Sequence, residues 1–212
     1  MRKNNRSNRY WITEHNRDPF VREAKKTGYR SRSAYKLLEI ARRDRLFKRG
    51  DTVVDLGAAP GGWSQVAVEQ IGKEGRVIAI DILPMEPIPG VISLKGDARD
   101  RETQSQVVKL LAEDLAQVVI SDMAPNISGS HTLDQPRILQ IAELALESGI
   151  CFLAPGGHFL VKVFQGDGFD AFIATVQCSF SKTRVRKPKA SRASSREVYV
   201  LGWGYSQSYN CV

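Results

Sequence analysis

Two lysines and two carboxylates, Lys36, Asp122, Lys162 and Glu197, are the residues of this chain whose types and placement best suit proton chemistry. Desolvation and a second cation weaken a lysine's hold on its proton, a neighbouring carboxylate opposes that, and a cluster of such groups titrates as one coupled set. Local context favours convergence. Lys36 follows a basic, serine-rich stretch, Asp122 and Lys162 lie at or near expected strand ends, and Glu197 interrupts a basic run. Any one pair taken alone also reads as a surface salt bridge.

The elements that must position these residues are legible from hydrophobic periodicity. Helical patterning begins at Pro19: Phe20, Val21 and Ala24 make a short amphipathic turn ending at Gly28. Ser33 then caps a longer helix whose apolar stripe is Ala34, Leu37, Leu38, Ala41 and Leu46, with Lys36 in its first turns. Beyond Gly50, β-rich runs at 52–56, 76–81, 91–97, 117–122, 157–164, 182–187 and 197–203 are expected as strands. Helices are expected near 62–71, 101–114, 134–151 and 168–178. Strands apolar on both faces and separated by helices predict an α/β fold, a doubly wound, mostly parallel sheet of seven strands. Only the last two runs lack a helix between them. Their connection, PKASRASSR, is too short for a crossover, so they are expected to pair as an antiparallel hairpin at the sheet edge.

A chain of 212 residues suits one sizeable core. Residues 1–18 read as a basic, flexible arm with Tyr10 and Trp11 as possible anchors, 19–203 as a single domain and 204–212 as a tail. No internal repeat is visible.

Asp55-Leu56-Gly57-Ala58-Ala59-Pro60-Gly61-Gly62-Trp63 closes the first expected strand and opens the next helix, where backbone amides meet a helix N-terminus. The stretch is neither a P-loop nor the G-x-G-x-x-G dinucleotide fingerprint, and glycines also serve plain strand-to-helix turns. The acids strengthen the ligand reading. Asp55, Asp81 and Asp97 end successive strands along one sheet edge, where they suit hydroxyls, an amine or a cation and repel pyrophosphate. S-adenosylmethionine has those groups and no phosphate. Each acid alone would also read as a cap or turn residue.

Charge is unevenly spread. Residues 1–50 hold 16 Lys/Arg against five Asp/Glu, 51–181 hold eight against 17, and 182–196 hold seven basic residues and no acid. Two basic flanks around an acidic body suit a polyanion whose backbone binds through counterion release. Two solvated ends would give the same count. The cysteines, Cys151, Cys178 and Cys211, are odd in number with no CxxC pair, so neither a zinc site nor a disulfide framework is expected. The start lacks an apolar h-region and no run reaches the length of a membrane span. These features predict a soluble, unsecreted, cytoplasmic protein that needs no metal.

Four motifs, DLGAAPGGWSQ (55–65), SDMAPNISG (121–129), VKVFQG (161–166) and SRASSREVY (191–199), resemble those of the FtsJ (RrmJ) family of ribose 2′-O-methyltransferases, its bacterial large-subunit rRNA enzymes most. The resemblance runs from about Lys25 to Trp203. It implies a Rossmann-like methyltransferase sheet in the order 3-2-1-4-5-7-6 with strand 7 antiparallel, and S-adenosylmethionine as cofactor. It places a catalytic Lys-Asp-Lys-Glu set on Lys36, Asp122, Lys162 and Glu197. Cofactor contacts fall on Gly61, Trp63, Asp81, Asp97 and Asp122, beside Asp55, Gly57 and Gly62 of the glycine turn. The expected RNA contacts are Arg30, Arg32, Arg186, Lys187, Arg192 and Arg196.

The implied activity is methyl transfer to a ribose 2′-hydroxyl, that of a uridine in large-subunit rRNA within the ribosomal particle, by a monomer. Alternatives are a tRNA substrate or a noncatalytic RNA-binding assembly factor. Amino-directed methyltransferases place Asn/Asp-Pro-Pro-aromatic after the fourth strand, where this chain reads Asp122-Met123-Ala124-Pro125. Methylation at pyrimidine C5 needs a cysteine nucleophile, and no cysteine occupies such a motif.

Overall fold

The computed structural model describes residues 18–112, 114–125 and 131–206. Two helices lead in, α1 (Pro19–Thr27) and α2 (Ala34–Asp44), followed by β1 (Thr52–Leu56), α3 (Gly62–Ile71), β2 (Arg76–Asp81) and β3 (Val91–Lys95). The second half contains α4 (Arg101–Leu111), β4 (Ala116–Ser121), α5 (His131–Phe152), β5 (Leu153–Phe164), α6 (Phe169–Ser179), β6 (Phe180–Arg186) and β7 (Glu197–Tyr205). All seven strands form one sheet in the order β3-β2-β1-β4-β5-β7-β6. β1 pairs in parallel with β2 and β4, and β4 with β5, while β7 runs antiparallel between β5 and β6. The strand order reverses between β1 and β4, the place in an open α/β sheet where helices diverge and leave a crevice.

Strand periodicity divides the core in two, because neighbouring residues point to opposite faces. Val53, Val118, Ile120, Leu160, Tyr199 and Leu201 pack with Leu37 and Ile40 of α2 and Trp63 and Val66 of α3. Val54, Val119, Phe159, Val161, Val198 and Val200 pack on the other face with Val107 of α4, Ala142 of α5 and Phe172 of α6. Every residue of β1 is buried, as its central position requires. The outermost β3 is only partly covered.

Several local expectations are corrected. α2 stops at Asp44, where Arg45 turns left-handed (φ 51°), so Leu46 joins the core from outside the helix. Ser33 makes no capping hydrogen bond, and its hydroxyl is paired with that of Ser31. Asp18, read as the end of the arm, instead caps α1: its Oδ1 accepts from the Phe20 amide at 2.9 Å. Asp97 lies in the turn beyond β3, and β7 continues through Tyr205. Cys151 is a free, exposed thiol, but Cys178 is disulfide-bonded. Tyr10, Trp11 and the rest of the arm before Asp18 lie outside the described residues, as does the tail after Ser206.

Candidate active site

The four chemistry-bearing residues converge on the α2/α3 side of the sheet. Ile120 and Asp122 share a face by alternation, as do Glu197 and Tyr199. Antiparallel register sets Lys162 opposite Tyr199 and Phe164 opposite Glu197. Lys36 is delivered from the first turns of α2. Trp63 anchors that start of the helix, its indole Nε1 donating to the Ser33 carbonyl at 2.9 Å.

Two ion pairs result. Lys36 Nζ lies 2.6 Å from Glu197 Oε1, and Lys162 Nζ lies 3.0 Å from Asp122 Oδ1 while also donating to the Asp122 carbonyl. Both lysines are buried. A buried charge is tolerated only when paired and hydrogen-bonded, so each lysine depends on its carboxylate.

Tyr199 joins the pairs. Its hydroxyl donates to Asp122 Oδ1 at 2.9 Å, its ring centre lies 5.7 Å from Lys36 Nζ, and its other neighbour is the Trp63 ring at 5.6 Å. Burial above all, then the charges of Asp122 and Glu197, hold the phenol well above its ordinary pKa, so it remains a donor. Sequence reading missed Tyr199, although its two-residue spacing from Glu197 within one strand was the available signal.

The glycine turn lies beside this cluster. Gly57 has φ 72°, and a Cβ there would fall 2.0 Å from Met123 Cγ. Gly61 has φ 109° and would meet Ile88 and Met85. Both positions therefore require glycine. Gly62 and Trp63 open α3, and Trp63 is buried.

Asp55 is buried. Its Oδ2 accepts from Ser64 Oγ at 2.6 Å and its Oδ1 has no hydrogen-bond partner. Burial pushes its carboxyl up to about 7, against the Ser64 hydrogen bond and with help from Asp122 and Asp81. Asp81 ends β2 and braces the turn, accepting from the Ala59 amide at 2.9 Å and the Leu83 amide at 2.8 Å. A cavity of about 150 Å³ opens there, lined in part by Ala58, Asp81, Leu83 and Leu94. Asp97 is gripped by Arg99 at 2.5 Å, which holds its carboxyl below the usual range.

The predicted RNA contacts fall into two groups. Arg30 donates to the carbonyls of Pro60, Glu86 and Pro87, at 3.1, 2.7 and 2.9 Å. Arg32 pairs with Asp18 at 2.5 Å and donates to the Ala190 carbonyl. Arg186 makes a two-pronged pair with the buried Asp44, at 2.7 and 2.6 Å. These three guanidinium groups are committed internally. Lys187 donates to the Ser195 carbonyl at 2.6 Å yet is exposed, and Arg192 and Arg196 are exposed on the segment between β6 and β7.

Among the described residues no group of three or more His, Cys, Asp or Glu is placed to hold a metal ion. Nor is any helix among them long and apolar enough to cross a membrane.

Comparison with known proteins places this arrangement in a lineage. The chain is 52% identical over 205 residues to ribosomal RNA large subunit methyltransferase E of Marinobacter nauticus, covering 97% of this chain and 99% of that one. Among solved structures, a ribosomal RNA methyltransferase from Plasmodium falciparum superposes with a TM-score of 0.75 at 25% identity, covering 84% of this chain and 98% of the other. Fibrillarin from Aeropyrum pernix, solved with bound S-adenosyl-L-methionine, shares the fold at a TM-score of 0.53 and 17% identity, over 80% and 75% of the two chains. The family model described as FtsJ-like methyltransferase matches residues 29–205, the span that carries the glycine turn and both ion pairs, and the chain belongs to that family.

Proposed function

We propose that this protein transfers a methyl group from S-adenosylmethionine to the 2′-hydroxyl of a uridine ribose in large-subunit rRNA. The observation that carries the reading is the pair of buried Lys-carboxylate contacts joined by Tyr199 beside the glycine turn. The full-length relative named as a large-subunit rRNA methyltransferase supports the substrate class.

The residues fit the cofactor. Gly57 and Gly61 form a turn that no side chain could share, Asp55 keeps an orphaned buried oxygen, and Asp81 stands at the end of β2 beside a cavity. S-adenosylmethionine, when bound, supplies a methyl group on a sulfonium that becomes a neutral thioether. Asp81 would hold the ribose hydroxyls, Asp55 and Asp97 the polar ends, and Asp122 would face the positive charge.

A ribose hydroxyl is a weak nucleophile, so the protein must place it in line and help remove its proton. Lys162 would orient the hydroxyl oxygen for in-line attack, and its Nζ would take the hydroxyl proton while handing one of its own to the Asp122 carboxylate. Lys36 and Glu197 hold the acceptor ribose. Tyr199 keeps Asp122 facing Lys162. Of the six residues expected to meet RNA, Lys187, Arg192 and Arg196 are the exposed ones.

The test is incubation with methyl-labelled S-adenosylmethionine and, separately, large ribosomal subunits, naked rRNA and tRNA. Label in alkali-resistant dinucleotides from the subunit is expected. Label only in tRNA would reassign the substrate, and label in bases, or none, would overturn the reading.

A further inference from the structure

The carboxylate of Glu197 is held from an unexpected side. Ser191 Oγ donates to Glu197 Oε1 at 2.7 Å, the same oxygen that receives Lys36 Nζ at 2.6 Å. Ser191 is buried although it lies in a segment whose neighbours Arg192, Ala193 and Ser194 are exposed. Its position is fixed from both directions. Arg32 donates to the preceding Ala190 carbonyl, and Ser191's own amide closes a turn onto the Pro188 carbonyl at 2.9 Å. A second serine completes the frame: Ser195 Oγ accepts from the Glu197 amide at 3.1 Å. Oε1 therefore receives two donors, and the Tyr199 phenol lies close enough to feel the same carboxylate.

We infer that Ser191 is a positioning residue for methyl transfer, acting through Glu197. A carboxylate has two equivalent oxygens and turns readily about its terminal torsion. Two donors converging on Oε1 remove that freedom and fix the direction in which the carboxylate meets a substrate hydroxyl. A paired donor of fixed place is what distinguishes a group held ready for a substrate from one that must be reorganised on binding. The same turn carries Arg192 and Arg196, so the segment that meets the RNA backbone also sets the carboxylate that meets the ribose. Arg32, expected on sequence grounds to touch RNA, serves this arrangement from behind.

This inference rests on the 2′-hydroxyl reading above, and the experiment separates the two. Steady-state methylation of large ribosomal subunits is measured for the full-length protein, for Ser191→Ala and for Ser191→Thr, with S-adenosylmethionine affinity determined by calorimetry. Ser191→Ala is expected to lower kcat roughly tenfold, the effect of losing one charge-assisted hydrogen bond, with KM for RNA and cofactor affinity within about twofold. Ser191→Thr, which keeps the hydroxyl, should recover most of the rate. In a Glu197→Gln background, Ser191→Ala should cost less than it does alone, because residues acting through one another are non-additive. A raised KM at unchanged kcat would mean that Ser191 only anchors the RNA-binding segment, and would overturn the inference. So would unchanged kinetics, or no recovery by threonine. An inactive wild-type protein would instead count against the 2′-hydroxyl reading itself.

Discussion

The Tyr199 hydroxyl donates at 2.9 Å to Asp122 Oδ1, the oxygen that also lies 3.0 Å from Lys162 Nζ. One carboxylate oxygen thus serves a neutral donor and a cation. Tyr199 arrives from β7 and Lys162 from β5, at paired register positions.

Replacing Tyr199 with Phe keeps the ring against Trp63 and Lys36 and removes only the hydroxyl. The loss of one buried hydrogen bond should cost about 1 kcal/mol of stability. Freed of one restraint, Asp122 should hold Lys162 less well, and kcat should fall roughly tenfold. Chemical denaturation and initial-rate measurements on one preparation check both. An unchanged kcat would leave Tyr199 a packing residue.

Lys162→Ala should abolish transfer by a factor of about 10²–10⁴, the range for removal of a proton-handling group. Binding of S-adenosylmethionine, measured separately by calorimetry, should persist. Retained transfer would remove Lys162 from the chemistry, and lost binding would make it a cofactor residue.

Asp55 gives a pH signature. Its folded carboxyl titrates at about 7, above the ordinary carboxyl value, because burial disfavours the charge. Below the unfolded value both states are protonated and the group costs nothing. As pH rises toward 7 the unfolded chain releases its proton first, so stability falls through the window from about 4 to about 7. Asp55→Asn should flatten that fall. Urea titrations at pH 5 and pH 7.5 would show whether the wild-type difference exceeds the variant's, and equal differences would refute it.

The basic residues should separate into two classes. Arg192→Gln and Arg196→Gln should each reduce the salt slope of RNA binding by about one and leave the melting temperature nearly unchanged. Arg186→Gln leaves the buried Asp44 carboxylate with only the longer Arg184 contact at 3.7 Å and should cost about 1.5–3 kcal/mol of stability. Filter binding across a salt series, paired with thermal melts, distinguishes them. A slope unmoved by Arg192→Gln would take that residue out of the RNA footprint.

Most of the architecture was already legible. The β1 and β2 runs and α3 end where periodicity and the flanking glycines place them, because a central strand apolar on both faces leaves little ambiguity. The edge hairpin followed from a connection too short to cross the sheet. The motifs carried Lys36, Asp122, Lys162 and Glu197 as one set, and alternation along β7 already put Glu197 and Tyr199 on one face. Tertiary structure decided who touches whom. Lys36 and Glu197 are separated by 161 positions and Tyr199 and Asp122 by 77, distances at which no local propensity acts. The same is true of Arg186 and Asp44, 142 positions apart, a pair that a charge count does not show. Sequence specified which charges exist and which strand faces carry them; only packing, where a buried charge must find a partner or remain in water, determined which became a site and which became a brace.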